Sequence, residues 1–231
     1  MEPLWGEQIP LFRGLDAEQI QAILPALNAR TRTYEKHAAI LHAGDTAPAM
    51  GLVLSGGVRI EHNDAWGGTS LFSHIGPGGM FAETYAFFPQ EPLLVSVIAA
   101  ESSRILFLDA GQLMSGAAPD PRLSQVRSNL LRVSLRKNLE LSRRMLHTSP
   151  KTIRGRLLSY LSGQAIQAGS RQFTIPFNRQ QLADYLEVDR SALSNELSKM
   201  QRDGLLRTQR SSFVLLAPLE DEGLAIPRDI P

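Results

Sequence analysis

The chain has 231 residues, a formal net charge of +1, 43% hydrophobic residues and no cysteine. That length is enough for a substantial core and predicts two domains. The absence of cysteine excludes disulfides, iron–sulfur clusters held by thiolates, cysteine-ligated zinc and a cysteine nucleophile. The apolar runs are too short for a membrane helix, and the first residues lack the pattern of a signal peptide. We therefore expect a cytoplasmic protein with no membrane partner.

The charge is unevenly distributed along the chain. Residues 1–112 carry six Lys or Arg against twelve Asp or Glu, a net charge of −6. Residues 113–147 carry seven against two and residues 148–219 carry ten against five, so each of these segments has a net charge of +5. The segment from residue 220 onward has a net charge of −3. This pattern favours a basic part that faces nucleic acid, joined to an acidic part with another task.

The first half of the chain has the pattern of a small helix followed by many short strands. Asp16 is suited to cap a helix in which Ile20, Ile23 and Leu24 face inward. Glycine-rich turns then separate short β-type segments at residues 39–42, 50–54, 58–61, 70–75, 93–100 and 105–108. Strands at this spacing predict a sandwich or barrel.

A long helix is predicted over residues 122–147, after Pro119 and Pro121. Residues 148–150, Thr-Ser-Pro, interrupt it and form a plausible hinge. Two apolar stripes run along this helix, and an apolar arc this wide favours packing on both the β-domain and a second copy of the helix. A single buried helix is the alternative. The first stripe consists of Leu123, Val126, Leu130 and Val133, and we assign the contact between two chains to it. The second stripe consists of Leu131, Leu135 and Leu139.

Residues 177–206 read as two short helices joined by a tight turn, with Asp189 as the N-cap of the second. The inner face of the first helix would consist of Leu182, Ala183 and Leu186, and that of the second helix of Leu193, Leu197 and Met200. Burying these residues turns polar side chains outward, as a helix in a DNA major groove requires; they are Arg190, Ser191, Ser194, Asn195 and Ser198. Apolar runs at 205–207 and 213–216 around a polar connection predict a hairpin wing, and a further strand precedes at 172–175. A solvated helix in an ordinary bundle is the alternative, but the wing favours DNA binding.

The predicted order is an antiparallel β-roll, a long helix and a winged helix-turn-helix, which makes the fold α+β. With this order, the segments AGD (43–45), VLSGGVRI (53–60), GGMFAE (78–83), NRQQLA (178–183) and VDRS (188–191) resemble the cyclic-AMP receptor protein (Crp/Fnr) family of bacterial transcription regulators. The resemblance implies a jelly roll of the cyclic-nucleotide-binding type as sensor over residues 1–118. A dimerisation helix and hinge at 119–148 and a DNA-binding domain at 149–219 would follow. The acidic, proline-ended sequence of residues 220–231 predicts a flexible tail.

The resemblance also implies the partners and the DNA contacts. The partners are a second copy of the chain, a palindromic double-stranded operator and, for an activator, RNA polymerase. Arg190, Ser191 and Asn195 occupy base-reading positions, and the outward-facing Ser194 is grouped with them. We expect phosphate contacts from Arg179, Lys199, Arg202 and, at the wing tip, Arg210.

The expected effector site departs from the pattern of cyclic-nucleotide binders. Glu83 is kept but follows Ala82 instead of Gly, and Leu93 and Leu94 stand where an Arg-Ser pair would hold the cyclic phosphate. Cyclic AMP is therefore not expected to bind in the usual manner. The remaining pocket suits a small apolar or aromatic metabolite, or it is filled by its own side chains. Its residues are Phe81, Ala82, Glu83, Thr84, Tyr85, Leu93 and Leu94, with Phe87 and Val95 beside them.

Other cofactors and functions are disfavoured. The haem sensor of the family uses Cys and His where Ala82 and Thr84 stand, so neither haem nor an iron–sulfur cluster is expected. The five histidines are scattered without a His-x-His pair, which disfavours a metal site and a cupin-like metalloenzyme. No catalytic constellation is present in the sequence, so we expect no enzyme. The alternative function is a β-roll sensor that regulates a partner protein without binding DNA.

Overall fold

The computed structural model describes residues 9–63, 68–115 and 120–216. It has the predicted α+β class, with antiparallel sheets, a long helix and a C-terminal helix-turn-helix. The chain divides into two compact units, Met1–Leu135 and Arg136–Pro231. None of the helices in the described ranges has the length and apolarity needed to cross a membrane. The predicted tail at 220–231 lies outside the described residues.

The N-terminal unit is built on two four-stranded antiparallel sheets. Their strand orders are β1-β8-β3-β6 and β2-β7-β4-β5. The strands are β1 (Arg30–Tyr34), β2 (Ala39–Leu41), β3 (Ala49–Ser55), β4 (Val58–Asn63), β5 (Thr69–Ile75), β6 (Met80–Phe81), β7 (Ser96–Ala99) and β8 (Ser103–Asp109). The helices of the unit are α1 (Ala17–Ile23), α2 (Glu83–Phe87), α3 (Ala110–Ser115) and the first part of α4 (Pro121–Thr148).

Local sequence features explain the start and the buried face of helix α1 and the close packing of strand β3. Asp16 caps α1 in a capping box, because its side chain accepts from the amide of Gln19 while the Gln19 side chain accepts from the amide of Asp16. Ile20 and Ile23 are buried, as predicted. Gly51 in β3 lies directly under the Phe81 ring, where an added Cβ would be only 2.1 Å from Cζ. A glycine is therefore required for this close approach.

The first apolar stripe of α4 packs on the core of its own domain. Val126 is fully buried and Leu130 is 5% exposed, and Leu123 and Val133 pack against the same cluster. The assignment of this stripe to a contact between two chains is therefore corrected for Val126 and Leu130, which are covered within one chain, while Leu123 and Val133 are partly buried against the same core. Leu131, Leu135 and Leu139 in the second stripe are 59%, 57% and 50% exposed.

A buried amide fixes the register of α4 on this unit. Asn129 is 2% exposed, and its Nδ2 donates to the backbone oxygens of Leu11 and Arg13 at 3.0 and 2.8 Å. Its Oδ1 accepts from Gln125 at 3.2 Å. A buried polar side chain has to be paired in this way, and the two carbonyls allow it to fit in one position only.

The C-terminal unit follows the end of α4. It contains α5 (Ile153–Ala168), β9 (Gln172–Thr174), α6 (Arg179–Leu186), α7 (Arg190–Arg202), β10 (Leu206–Gln209) and β11 (Ser212–Leu215). The three strands form one antiparallel sheet in the order β10-β11-β9. The predicted inner faces of α6 and α7 are buried in a common core with Leu157 and Phe213. The helix pair, the wing and the strand before them are thus confirmed.

Candidate nucleic-acid interface

Helix α7 begins at the predicted cap. The Asp189 carboxylate accepts from the amide of Ala192 at 2.8 Å and from the Ser191 hydroxyl. These hydrogen bonds, first that from Ser191 and then that from Ala192, lower the pKa of Asp189. Helix α6 begins with a capping box between Asn178 and Gln181. Both helices of the motif therefore have their first exposed amides satisfied by local side chains.

Polar contacts hold α7 in place from both sides. The Arg154 guanidinium on α5 donates to Glu196 at 2.6 Å and to Asp203 at 2.7 Å. At the C-terminal end, the Gln201 side-chain oxygen accepts from the amide of Thr208 in the wing at 3.0 Å. These contacts, together with the buried Leu193, Leu197 and Met200, fix the rotation of α7 about its axis. That rotation decides which side chains point outward.

The four predicted base-reading residues lie on one end of α7, and the structure gives them different freedom. Arg190, Ser191 and Asn195 are exposed and Ser194 is half-buried. The Ser191 hydroxyl donates to Asp189, and the Ser194 hydroxyl donates to the backbone oxygen of Arg190 at 2.9 Å. Both serines are thus engaged within their own helix, whereas Arg190 and Asn195 carry the longest exposed side chains of this group.

The predicted phosphate contacts also differ in their surroundings. Lys199 and Arg202 are exposed in the last turns of α7, and Arg210 is exposed at the tip of the wing with a positive φ of 53°. Arg179 is half-buried, donates to Thr208 at 2.8 Å and lies 5.2 Å from the centre of the Phe213 ring. Burial lowers the pKa of Arg179. Arg179 therefore braces α6 against the wing, while the other three face solvent.

Sequence reasoning missed a group of residues that joins the hinge to the turn of the helix-turn-helix. The Arg156 guanidinium donates to the backbone oxygen of Pro150 at 3.0 Å and to those of Leu186 and Glu187 at 2.8 and 3.0 Å. Arg144 forms an ion pair with Glu187 at 3.2 Å. An arginine near the start of a helix is a weak sequence signal for this role, because two of its three partners are backbone oxygens about 30 residues away.

A buried histidine lies in the same place. His147 Nδ1 is 2.9 Å from the hydroxyl oxygen of Tyr185, and the His147 ring meets the Tyr160 ring edge-on at 5.4 Å. Burial and, to a lesser extent, the charge of Arg143 lower the pKa of His147. The sequence marked His147 only as one of five scattered histidines.

The predicted effector residues surround α2 and the loop before β7. Phe81 is a core side chain at 2% exposure that meets Phe107 edge-on, and Glu83 is buried at the first position of α2. Ala82 has a left-handed backbone, with φ 57°, a conformation that a glycine at this position would adopt without steric cost. Thr84 is exposed and Tyr85 is half-buried.

The loop that would receive a cyclic phosphate is closed by its own contacts. Leu93 is 3% exposed, its amide donates to the Asp45 oxygen at 2.8 Å, and its oxygen accepts from Gly44 at 2.8 Å. The amide of Leu94 donates to the Tyr85 hydroxyl at 3.4 Å, and the Leu94 side chain is 72% exposed. At the Arg-Ser positions, Leu93 and Leu94 thus offer a phosphate no positive side chain. The described residues also contain no cluster of His, Asp and Glu with the arrangement of a metal site.

Comparisons with known proteins agree with both halves of this arrangement. The family profile of the cyclic nucleotide-binding domain matches residues 31–118, and that of the Crp-like helix-turn-helix domain matches residues 155–220. The chain is 22% identical over 210 residues to the "CRP-like cAMP-activated global transcriptional regulator" of Mycobacterium tuberculosis, covering 89% of this chain and 91% of that one. It is 30% identical over 99 residues to the "Cyclic AMP receptor protein" of Thermus thermophilus, covering 43% and 44% of the two chains.

Two solved structures share the fold. CprK complexed with OCPA superposes with a TM-score of 0.61 at 15% identity, covering 91% of this chain and 94% of that one. The c-di-GMP responsive global regulator CLP of Xanthomonas campestris superposes with a TM-score of 0.53 at 19% identity, covering 87% and 100% of the two chains. At these identities the likeness establishes the fold.

Proposed function

Because this chain belongs to the cyclic-AMP receptor protein (Crp/Fnr) family of DNA-binding transcription regulators, we propose that it acts as a homodimer on a palindromic operator. We further propose control by a small effector other than cyclic AMP, bound at the β-roll. The observation that carries the proposal is helix α7, which buries Leu193, Leu197 and Met200 and presents a polar, basic face beside the wing. Such a regulator works in the cytoplasm, has no catalytic step, and contacts RNA polymerase where it activates.

Base reading is assigned chiefly to two of the exposed side chains of α7. The guanidinium of Arg190 can bond guanine O6 and N7 together, and the amide of Asn195 can bond adenine N6 and N7 together. Ser191 and Ser194 have short side chains that are engaged within the helix, so they contribute less discrimination. Lys199, Arg202 and Arg210 supply contacts to phosphate, which give affinity without sequence information.

The dimer contact is assigned to the exposed stripe of α4. Leu131, Leu135 and Leu139 are spaced four residues apart and each is at least half exposed. Two such stripes packed along a two-fold axis would cover one another. Recognition helices related by that axis would meet the DNA about one turn, roughly 34 Å, apart, which explains why a palindrome is expected.

The effector proposal rests on the loop at Leu93 and Leu94. A cyclic phosphate beside these side chains would lose its hydration without gaining a cation or a donating hydroxyl, and that desolvation disfavours binding. We propose instead a ligand with apolar bulk and a polar group, bound near Tyr85 and Glu83. The cyclic AMP and c-di-GMP named for the relatives belong to those proteins.

The experiment that tests this function is the selection of genomic fragments by the purified full-length protein, followed by sequencing of the retained DNA. Enrichment of a two-fold-symmetric site would support a dimeric regulator, and its sequence would test the roles of Arg190 and Asn195. A single unpaired half-site would contradict the palindrome. Absence of enrichment, with and without a cell extract of small molecules, would instead favour a β-roll sensor that regulates a partner protein.

The effector is tested separately by calorimetric titration with cyclic AMP. We expect no binding heat at concentrations that saturate a cyclic-AMP receptor. The matched variant is Leu93→Arg together with Leu94→Ser, which restores the two missing side chains. Binding of cyclic AMP by the unaltered protein would refute the effector proposal and leave the DNA-binding proposal intact.

A further inference from the structure

The end of helix α4 carries a buried histidine, His147. Its ring lies in a seat formed by Tyr160 and Gly163 of α5 and by Tyr185 of α6. His147 is 9% exposed and lies three residues before Pro150, where the helix gives way to the hinge. It is the only histidine after residue 74, so it is the only imidazole of the C-terminal unit. The DNA contacts proposed above make no use of it.

The seat fits the imidazole closely. Nδ1 faces the hydroxyl of Tyr185 on α6 at 2.9 Å, and the ring lies against the Tyr160 ring of α5. Gly163 on α5 gives the ring its room, since an added Cβ there would lie 3.2 Å from His147 Nε2. In the described part of the chain, the buried hydroxyl of Tyr160 has no hydrogen-bond partner, so the Tyr160 side chain contacts the imidazole through its ring only.

The charged groups around the seat disfavour an imidazolium. Arg143 and Arg144 flank His147 on α4, and the charge of Arg143 adds to burial in lowering the pKa of His147. The charge of Glu140 on α4 contributes to raising the pKa of the neighbouring Tyr185, and Glu187 at the end of α6 forms an ion pair with Arg144. Burial of Tyr160 and Tyr185 raises the pKa of both hydroxyls, so they stay neutral. The seat therefore accepts the neutral form of His147 and penalises the charged one.

The seat lies where it can control the orientation of the DNA-reading motif. Tyr185 belongs to α6, and the turn that follows α6 leads directly into α7. Arg156 binds the same turn and the Pro150 oxygen of the hinge, and the Ser159 hydroxyl donates to the Leu146 oxygen at 3.3 Å. With His147 seated, the hinge and the turn are joined at several points. With His147 released, the hinge would keep the hydrogen bonds of Arg156 and Ser159 but lose its aromatic contacts with α5 and α6.

We propose that His147 is a positioning residue, whose neutral imidazole latches the end of helix α4 to the helix-turn-helix and whose protonation releases the latch. The sign follows from linkage. A base with a lowered pKa in the seat stabilises the latched state fully above its ordinary pKa of about 6.5, and this contribution falls as the pH drops below that value. The population ratio of latched to released states can change by at most about tenfold per pH unit for a single proton.

The latch is tested without DNA, by amide hydrogen exchange of the full-length protein at pH 7.5 and pH 5.5, with rates corrected for the intrinsic effect of pH. Peptides that cover residues 143–150 and 180–188 should lose severalfold protection at pH 5.5. Peptides from β8 serve as the internal reference. Equal protection at the two pH values in the unaltered protein would overturn the proposal.

Three variants separate a proton-sensitive latch from simple packing. His147→Gln keeps a polar group toward Tyr185 but cannot titrate, so its protection should be the same at both pH values. Tyr185→Phe removes only the hydroxyl and should lower protection at pH 7.5. His74→Gln is the matched control, because His74 is exposed in the N-terminal unit and its loss should leave the pH response unchanged. A pH response that persists in His147→Gln would refute the role of His147. If His147→Gln does not fold, Tyr185→Phe takes its place, and loss of the pH response in that variant would support the proposal.

The consequence for DNA rests on the proposed function and is measured apart from the latch. A released hinge adds an ordering cost when two recognition helices engage one operator. The affinity for the selected operator should therefore fall severalfold more between pH 7.5 and 5.5 in the unaltered protein than in His147→Gln. An intact pH response in exchange, with no operator bound by any variant, would contradict the proposed function and leave the latch standing. Equal pH dependence of operator affinity in both proteins would refute its effect on DNA.

Discussion

Glu187 provides a sharp test of how the turn of the helix-turn-helix is built. Its backbone is left-handed, with φ 55° and ψ 50°, at the junction between α6 and α7. A side chain in this region costs roughly 1–2 kcal/mol, which glycine avoids. The only compensation that the Glu187 side chain itself offers in the described contacts is its ion pair with Arg144 at 3.2 Å. Replacement of Glu187 by Ala and by Gly separates these two effects.

The expected magnitudes follow from exposure. The paired side chains are 35% exposed for Arg144 and 59% exposed for Glu187, so solvent screens the pair and its worth is about 0.2–1 kcal/mol. Glu187→Ala loses that amount and keeps the backbone cost. Glu187→Gly loses the same pair, regains roughly 1–2 kcal/mol of backbone cost, and pays about 0.5–1 kcal/mol for the greater freedom of its unfolded chain. We therefore expect the Gly variant to be more stable than the Ala variant by about 0.75 kcal/mol, the difference between the midpoints of these two ranges.

The assay is urea unfolding followed by circular dichroism at 222 nm, which reports on helices of both units. The two substitutions lie in the C-terminal unit, so they should shift the part of the dichroism transition that belongs to this unit and leave the rest unchanged. An Ala variant as stable as the Gly variant would refute the account, because it would mean that the left-handed turn carries no backbone cost here.

Three further outcomes follow from the same geometry. Arg190→Ala should weaken binding to the selected operator by about 1–3 kcal/mol in a gel-shift titration and leave random DNA nearly unaffected; equal weakening on both would argue against base reading. Leu135→Glu should dissociate the dimer in analytical ultracentrifugation without unfolding the monomer, because Leu135 is exposed, whereas Leu130→Ala should destabilise the fold by about 2–5 kcal/mol, because Leu130 is buried. The lowered pKa of Asp189, due first to the Ser191 hydroxyl, means that this carboxylate stabilises the fold above its unfolded pKa of about 3.9 and that the contribution is lost as the pH falls. The stability of Asp189→Ala should accordingly vary less with pH between 2 and 5 than that of the unaltered protein, and parallel pH curves would contradict this assignment.

The helix-turn-helix was predictable because its determinants are local. The apolar spacing of Leu193, Leu197 and Met200, the cap at Asp189 and the following hairpin all lie within about 30 residues of one another. Each feature predicts the same structure independently, and agreement of local signals is typical of segments that fold as read. The β-roll was predictable as a class for a similar reason, since repeated turns at short spacing leave few alternatives.

Edges and loops of the β-roll were less predictable. Strand β1, with the sequence RTRTY, has four exposed residues and no apolar alternation, and it exists because it pairs with β8 some 70 residues later. The strand expected over residues 93–100 begins only at Ser96, because the backbone of Leu93 bonds Gly44 and Asp45 instead of a neighbouring strand. Partners that are distant in sequence decide both cases, and periodicity does not report on them.

Periodicity also leaves open which neighbour an apolar stripe meets. The two stripes of α4 were both visible in the sequence, yet the one assigned to the second chain is the one that covers the core of its own domain. A helical pattern gives the angle between two faces but not which surface occupies each. Buried Asn129 resolves this, because its bonds to the oxygens of Leu11 and Arg13 allow only one rotation of the helix on the β-roll.

The contacts between the hinge and the turn show the limit of sequence reading most clearly. Arg156 bonds three backbone oxygens, and a carbonyl has no residue identity that a pattern could reveal. Gly163 resembles a weak point in helix α5, where glycine costs about 1 kcal/mol relative to alanine. In the fold it is the position that admits the His147 ring. In the sequence, Gly163 is only an unfavourable residue in a helix and His147 only a histidine without a ligand pattern. Their roles become clear only in the structure, where the two residues lie against each other.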